Sequence, residues 1–261
     1  MKNINHFILT ISNQRGGTAK TTTAAAIGTY LTSKGYKVLL VDSDPQTALS
    51  YACGGSTAGK GLYELYQESI TGKSNIDTAA AIQSTASGDL IAASANLATA
   101  EAMLAAVPAK EYRLKVILEQ VKNRYDVVII DCPATLGATT TNALVASDAV
   151  IAPAGAGDVN SIIGLSQLIN TVNTIKAYCN PALTLQGIVI TRYNDRATIN
   201  KQLKAQLEQY AKDNGTKLFK TAIRECTALK EATLTQQSIF KYAPKSNAAA
   251  DYTALCEEIF N

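Results

Sequence analysis

Short apolar runs rich in Val, Ile and Leu alternate along this chain with stretches of helical period, and that alternation admits few folds. A run that is apolar at every position belongs to a strand covered on both faces, and parallel strands of that kind need a crossover helix between them. The pattern predicts an α/β fold: a mostly parallel twisted sheet of about seven strands with helices on both faces. The expected strands are residues 7–12, 37–44, 89–94, 126–131, 149–155, 185–192 and 217–223. Expected helices lie at 21–33, 98–105, 111–123, 139–146, 162–178, 198–214 and 248–260. No internal repeat interrupts this order, so a single domain over residues 1–261 is expected. Residues 53–75, rich in Gly, Ser and Thr, read as a surface insertion around one short helix at 62–69.

Composition removes several classes of function. With 47% apolar and 17% charged residues the chain can fill a core, and a net charge of +3 permits a nucleic-acid partner without demanding one. Five scattered cysteines without a CxxC pair suggest neither a zinc site nor a disulfide framework, so a reducing cytoplasm is expected. The single histidine, His6, stands ahead of the first strand, which leaves no residues for histidine-based catalysis or a histidine metal cluster. No apolar run reaches membrane-spanning length, and the N-terminus lacks the long apolar core of a secretory signal.

The first strand runs directly into "SNQRGGTAKTTTAAA", where two glycines precede a lysine and a threonine that open a helix. This strand, turn and helix context marks a phosphate loop. Gly16 and Gly17 let backbone N–H groups turn inward, and the helix N-terminus adds unpaired donors and the positive end of its dipole. Gly16, Gly17, Thr18, Ala19, Lys20, Thr21 and Thr22 thus form a candidate cradle for a nucleoside triphosphate. In it Lys20 reaches the β and γ phosphates, and the Thr21 hydroxyl ligates Mg²⁺. A second partial match, "TGKS" at 71–74, follows no strand and is not expected to bind phosphate.

Two further strand ends carry carboxylates to the sheet edge where ligands of open α/β folds bind. "VLLVDSDPQT" places Asp42 and Asp44 two apart, on one side of an extended chain, before Pro45 breaks the strand. "YDVVIIDCPATLG" ends an apolar strand on Asp131, the form of a Walker B acid that holds Mg²⁺ directly or through water. Either acid alone also suits a solvated turn or a helix cap; three strand ends together favour a nucleotide site.

"RGGTAKT" resembles the deviant Walker A pattern of the ParA and Soj partitioning ATPases, cousins of the cell-division ATPase MinD. The resemblance continues through "VDSDPQ", "YDVVIIDCPATLG", "TNALVASDAVIAP", "GLSQLINTV", "GIVITRYN" and "IRECTALKEA", nearly the whole chain in order. It implies ATP and Mg²⁺ as cofactors, slow hydrolysis, and a nucleotide sandwich homodimer in which Arg15 takes the place of a lysine that reaches the partner's phosphates. It further implies that Asp44 orients the attacking water and that Asp42 supports Mg²⁺ through water. Asn194 would contact adenine, and residues 133–137 would be the switch that senses the γ phosphate.

The resemblance leaves three outputs. A MinD-like membrane role needs a basic amphipathic C-terminal helix, whereas no Lys or Arg follows Lys245 here. A small-molecule ligase or synthetase of the same fold need leave no motif. Partitioning fits best: nonspecific DNA bound in the ATP state, through basic residues such as Arg196, Lys220 and Lys245, and released on hydrolysis stimulated by a ParB-like partner. A nucleoid-associated location would follow. No helix-turn-helix segment precedes the first strand, so autoregulation of transcription is not expected.

Overall fold

The computed structural model describes residues 5–71, 76–157 and 160–261, so the "TGKS" match lies outside the described residues from Gly72 onward. The first half of the chain runs β1 (Phe7–Ile11), α1 (Lys20–Ser33), β2 (Val38–Asp42), α2 (Ala48–Ala52), α3 (Leu62–Ile70), β3 (Ile82–Thr85), β4 (Gly88–Ile91), α4 (Leu97–Ala105) and α5 (Arg113–Glu119). The second half runs β5 (Val127–Asp131), α6 (Ala138–Ala146), β6 (Ala149–Gly155), α7 (Asn160–Tyr178), β7 (Thr184–Thr191), α8 (Thr198–Asp213), α9 (Thr227–Leu234), α10 (Ile239–Tyr242) and α11 (Asn247–Phe260).

The strands form one seven-stranded sheet in the order β3-β4-β2-β5-β1-β6-β7. All neighbours are parallel except the β3–β4 pair. Strand periodicity divides the side chains between two faces. Leu9, Ile11, Val38, Leu40, Val127 and Ile129 pack beneath α1 and α11, while Ile8, Leu39, Val41, Val128 and Ile130 pack beneath α3 to α6. A third cluster joins β6 and β7 to α7 and α8. The same parity carries Asp42 and Asp131, at the ends of β2 and β5, onto the α1 face. In the register Asp42 pairs with Asp131, and Asp131 with Ile11, so the three candidate strand ends stand side by side.

Three expectations are corrected. Residues 217–223 are not a strand of the sheet. The segment meets β7 through Phe219 N to Ile188 O at 2.8 Å and again through Ile223 N to Ile190 O at 2.8 Å, so four residues on one side answer two on the other. Between these contacts the amides of Lys220 and Thr221 turn away to the Glu258 carboxylate of α11, at 2.8 and 3.0 Å. The seventh strand is instead β3, a short polar edge strand whose "IQST" carries no apolar alternation. The helix expected at 111–123 is α5 flanked by 3₁₀ turns at Lys110–Tyr112 and Lys122–Arg124. Its first turn is interrupted because the Asn142 amide of α6 inserts there, accepting from Leu114 N at 3.0 Å and donating to Lys110 O at 2.8 Å.

Gly187 on β7 lets the Phe219 ring lie against the strand; a Cβ there would stand 2.7 Å from the ring and 3.1 Å from Lys217 O. Gly187→Ala is expected to displace this edge segment and lower stability by roughly 1–3 kcal/mol, as overpacking does. Thermal melting of the variant against wild type checks it.

Candidate nucleotide site

The loop between β1 and α1 turns on two left-handed residues, Gly17 at φ 74° and Ala19 at φ 63°. For Ala19 the Cβ makes this conformation costly, by roughly 1–2 kcal/mol, so the surrounding structure must hold it. Several bonds do. Asn13 donates to Pro153 O at 2.7 Å, Thr191 donates to Thr18 O at 3.0 Å, and Arg192 donates to Gly17 O at 3.2 Å. Helix α7 packs against the loop through Gly164, where a Cβ would lie 2.6 Å from Asn13 Oδ1 and 3.0 Å from Arg15 Cβ. Within the loop, Lys20 Nζ donates to Arg15 O at 3.0 Å and Thr18 Oγ1 to the same oxygen at 3.3 Å. A Cβ on Gly16 would meet nothing within 4 Å, so the chain's own packing does not require that glycine.

Lys20 is 8% exposed, and Asp42 and Asp131 are fully buried. Thr21 Oγ1 donates to Asp131 Oδ2 at 2.6 Å, whereas buried Asp131 Oδ1 has no hydrogen-bond partner among the described residues. Burial and then the neighbouring Asp42 push the Asp131 carboxyl well above its usual range, against the Thr21 hydrogen bond and the Lys20 charge. Burial likewise pushes Asp42 from 3.8 up to about 6, although Ser50 and the Asp44 amide donate to it. Burial lowers Lys20, and Asp131 opposes that fall. Two buried acids and a buried lysine at a helix N-terminus are suited to a site completed by an anion and a cation together. The orphaned Asp131 oxygen beside the Thr21 hydroxyl fits a divalent ion. Among the described residues no group of three His, Cys, Asp or Glu forms a metal cage, so such an ion would complete its shell with water or ligand oxygens.

Asp44 lies beyond the strand. Where an extended chain to residue 44 was expected, β2 ends at Asp42, and Asp44 is half-buried in a turn. Its amide donates to Asp42 Oδ1 at 3.1 Å and its Oδ1 accepts from Gln46 N at 2.9 Å. Residues 133–137 lead from Asp131 to α6. The first amides of that helix donate to the Glu101 carboxylate of α4, which also accepts from Thr139 Oγ1 at 2.7 Å. At Gly137 a Cβ would fall 2.4 Å from Glu101 Oε1, so a side chain there would displace that carboxylate from the start of α6.

Asn194 stands exposed in the turn after β7, its Oδ1 accepting from Arg196 N at 3.0 Å. A cavity of about 270 Å³ opens beside the β1–α1 loop, lined by Gly17, Ala19, Thr22, Arg192, Arg224 and Tyr252 among others, with Asn194 outside the lining. Arg224 is fixed there by Asp251 of α11, through Nε at 2.9 Å and Nη2 at 2.6 Å. Arg196, Lys220 and Lys245 are exposed, on the turn after β7, the bulge beside it and the loop before α11. Sequence reasoning missed Ser50, Glu101 and Arg224 as neighbours of the site. Arg192 opens the segment expected to contact adenine, and its left-handed backbone, at φ 56°, is visible only in the folded chain.

Known proteins resemble this chain over most of its length. An AAA domain family model matches residues 6–185. The chain is 37% identical to the sporulation initiation inhibitor protein Soj of Bacillus subtilis over 257 residues, 97% of each chain. It is 32% identical to the chromosome partitioning protein ParA of Caulobacter vibrioides over 258 residues, 97% of this chain and 94% of that one. Among solved structures, cobyrinic acid a,c-diamide synthase from Mycobacterium smegmatis with bound ADP and magnesium superposes with a TM-score of 0.80 at 30% identity, covering 96% of this chain and 92% of that one.

Because the folded Asp42 carboxyl is raised from 3.8 to about 6, its stabilising share is present below the lower value and lost as pH rises through the upper. Ligand-free wild type is therefore expected to lose on the order of 2–3 kcal/mol relative to Asp42→Asn between about pH 4 and pH 7. Urea unfolding of both proteins across that range checks the sign.

Proposed function

Given that the chain belongs to the ParA/Soj family of partitioning ATPases, we propose that it is a Mg²⁺-ATP-driven dimer that holds nonspecific DNA when loaded and releases it after hydrolysis. The observation that carries the nucleotide part is Asp131: wholly buried, one oxygen on the Thr21 hydroxyl at the start of α1, the other unpartnered, with buried Lys20 as its counter-charge.

In this reading the loop amides of residues 16–22 bind the phosphates, and Lys20 presents its ammonium group to the β and γ positions. Thr21 and Asp131 hold the magnesium ion, and Asp42, tied back by its own hydrogen bonds, supports it through water. Magnesium supplies charge neutralisation of the phosphoryl oxygens. Asp44, on the turn, orients the water that attacks in line. Arg15 reaches the partner protomer's phosphates in trans, and its forked donors suit that task. The base occupies the cavity between the loop and residues 192 and 224, with Asn194 at its rim. Residues 133–137 sense the γ phosphate because their backbone continues from Asp131. Arg196, Lys220 and Lys245 contribute to a phosphate-gripping face of the dimer, and a ParB-like centromere-binding protein accelerates the cycle.

Membrane attachment is disfavoured by the fold. Helix α11 buries Tyr252, Leu255, Ile259 and Phe260 against the sheet and α1, so its apolar stripe has no free face for lipid. Among the described residues no helix is long and apolar enough to cross a membrane. A second reading, an ATP-dependent small-molecule ligase, is favoured by the likeness to the diamide synthase.

Lys20→Ala is expected to abolish ATP-dependent dimerisation, measured by light scattering; an unchanged dimer would remove the loop from nucleotide binding. Asp44→Ala is expected to bind ATP but hydrolyse it at least tenfold more slowly, read by phosphate release. DNA retention with ATP, with ADP and without nucleotide, run beside liposome sedimentation, separates the outputs. Partitioning requires ATP-dependent DNA binding that weakens steeply with salt, whereas retention on neither surface favours the ligase.

A further inference from the structure

Ser50 of α2 is fully buried beside Asp42 and belongs to none of the motifs that mark the site. Its amide donates to Asp42 Oδ2 at 2.8 Å and its hydroxyl to the same oxygen at 2.7 Å. The hydroxyl oxygen in turn accepts from Ala93 N, just past β4, at 2.9 Å. This last bond sets the direction of the others. A backbone amide only donates, so the hydroxyl is the acceptor there and its proton goes to Asp42. Asp42 Oδ1 meanwhile accepts from the Asp44 amide.

The carboxylate of Asp42 is thus held at three points, two of them from one residue of a five-residue helix that begins six residues downstream. It cannot swing toward a ligand without breaking the pair to Ser50. Ser50 also joins three elements at the sheet edge: β2 through Asp42, β4 through Ala93, and α2 itself. The turn that carries Asp44 lies between the two ends of this tie.

We propose that the Ser50 hydroxyl is a positioning residue for magnesium binding, aiming the Asp42 carboxylate at the water shell of the ion. The inference rests on the Mg²⁺-nucleotide reading above. A purely structural alternative would make Ser50 a packing tie between α2 and β4, with no specific bearing on the ion.

The experiment is calorimetric titration of ADP with and without Mg²⁺ into the full chain, for wild type, Ser50→Ala and Ser50→Cys, with melting temperatures recorded alongside. Cysteine leaves no cavity, its sulfur being somewhat larger than the hydroxyl, but donates weakly, so with Ser50→Ala it brackets the packing change around loss of the hydrogen bond. Both variants are expected to lose about tenfold of the affinity that Mg²⁺ adds to ADP, as loss of a hydrogen bond to a charged group does. Affinity for ADP without Mg²⁺ should stay within about twofold. If Ser50 acts through Asp42, adding Ser50→Ala to Asp42→Asn should cause no further loss. Equal loss with and without Mg²⁺, wild-type behaviour of Ser50→Cys, or additive loss in the double variant would overturn the inference and leave the nucleotide reading standing. A wild-type chain whose ADP binding ignores Mg²⁺ would overturn both.

Discussion

Two buried carboxylates on neighbouring strands, Asp42 and Asp131 in matched register, are the constraint around which this molecule is organised. Removing an ionised acid from water is costly unless positive charge or hydrogen-bond donors meet it, and two adjacent acids make the cost worse. The fold answers each differently. Asp42 receives donors from Ser50 and Asp44, while Asp131 receives Thr21 and the field of Lys20 but keeps one oxygen unpartnered. That unequal treatment sets the division of labour proposed here, one acid tied back and one left open for an ion.

The geometry of the β1–α1 loop serves the same constraint. Lys20 stays close to Asp131 only because α1 begins at Lys20, and α1 begins there only because Gly17 and Ala19 take left-handed conformations. Those conformations are held by the bond from Asn13, just after β1, to Pro153 O of β6, by Thr191 and Arg192 at the end of β7, and by the close approach of α7 at Gly164. On the other side of Asp131, the path to α6 is anchored by Glu101 from a helix distant in sequence. A site whose chemistry rests on a few residues is therefore positioned by most of the sheet.

Membership of the partitioning ATPase family and the burial of the α11 stripe bear on one another. A terminal helix that packs Tyr252 on Thr23 of α1, with their hydroxyls 3.2 Å apart, supports the helix that carries the phosphate loop. It also holds Arg224 through Asp251 and turns the amides of residues 220–221 through Glu258. Helix α11 is thus occupied with supporting α1 and shaping the cavity beside the loop.

Local pattern alone settled the fold class, the strands that carry Asp42 and Asp131, and the position of α1 after a glycine-bearing loop, because apolar runs, glycine pairs and strand-end acids are properties of neighbouring residues. It failed where distant side chains overrode local preference. Glu258 pulled residues 220–221 out of the sheet, Asn142 broke the helix before α5, and a polar edge strand formed at 82–85 because β4 offered it a partner. Asp44 left the strand because its amide found Asp42. Ser50, Glu101 and Arg224 entered the neighbourhood of the site by the same route. Residue type and spacing decide which groups can do chemistry; only the folded chain decides which oxygen is paired and which is left open, since hydrogen-bond partners are chosen across the sheet and not along the sequence.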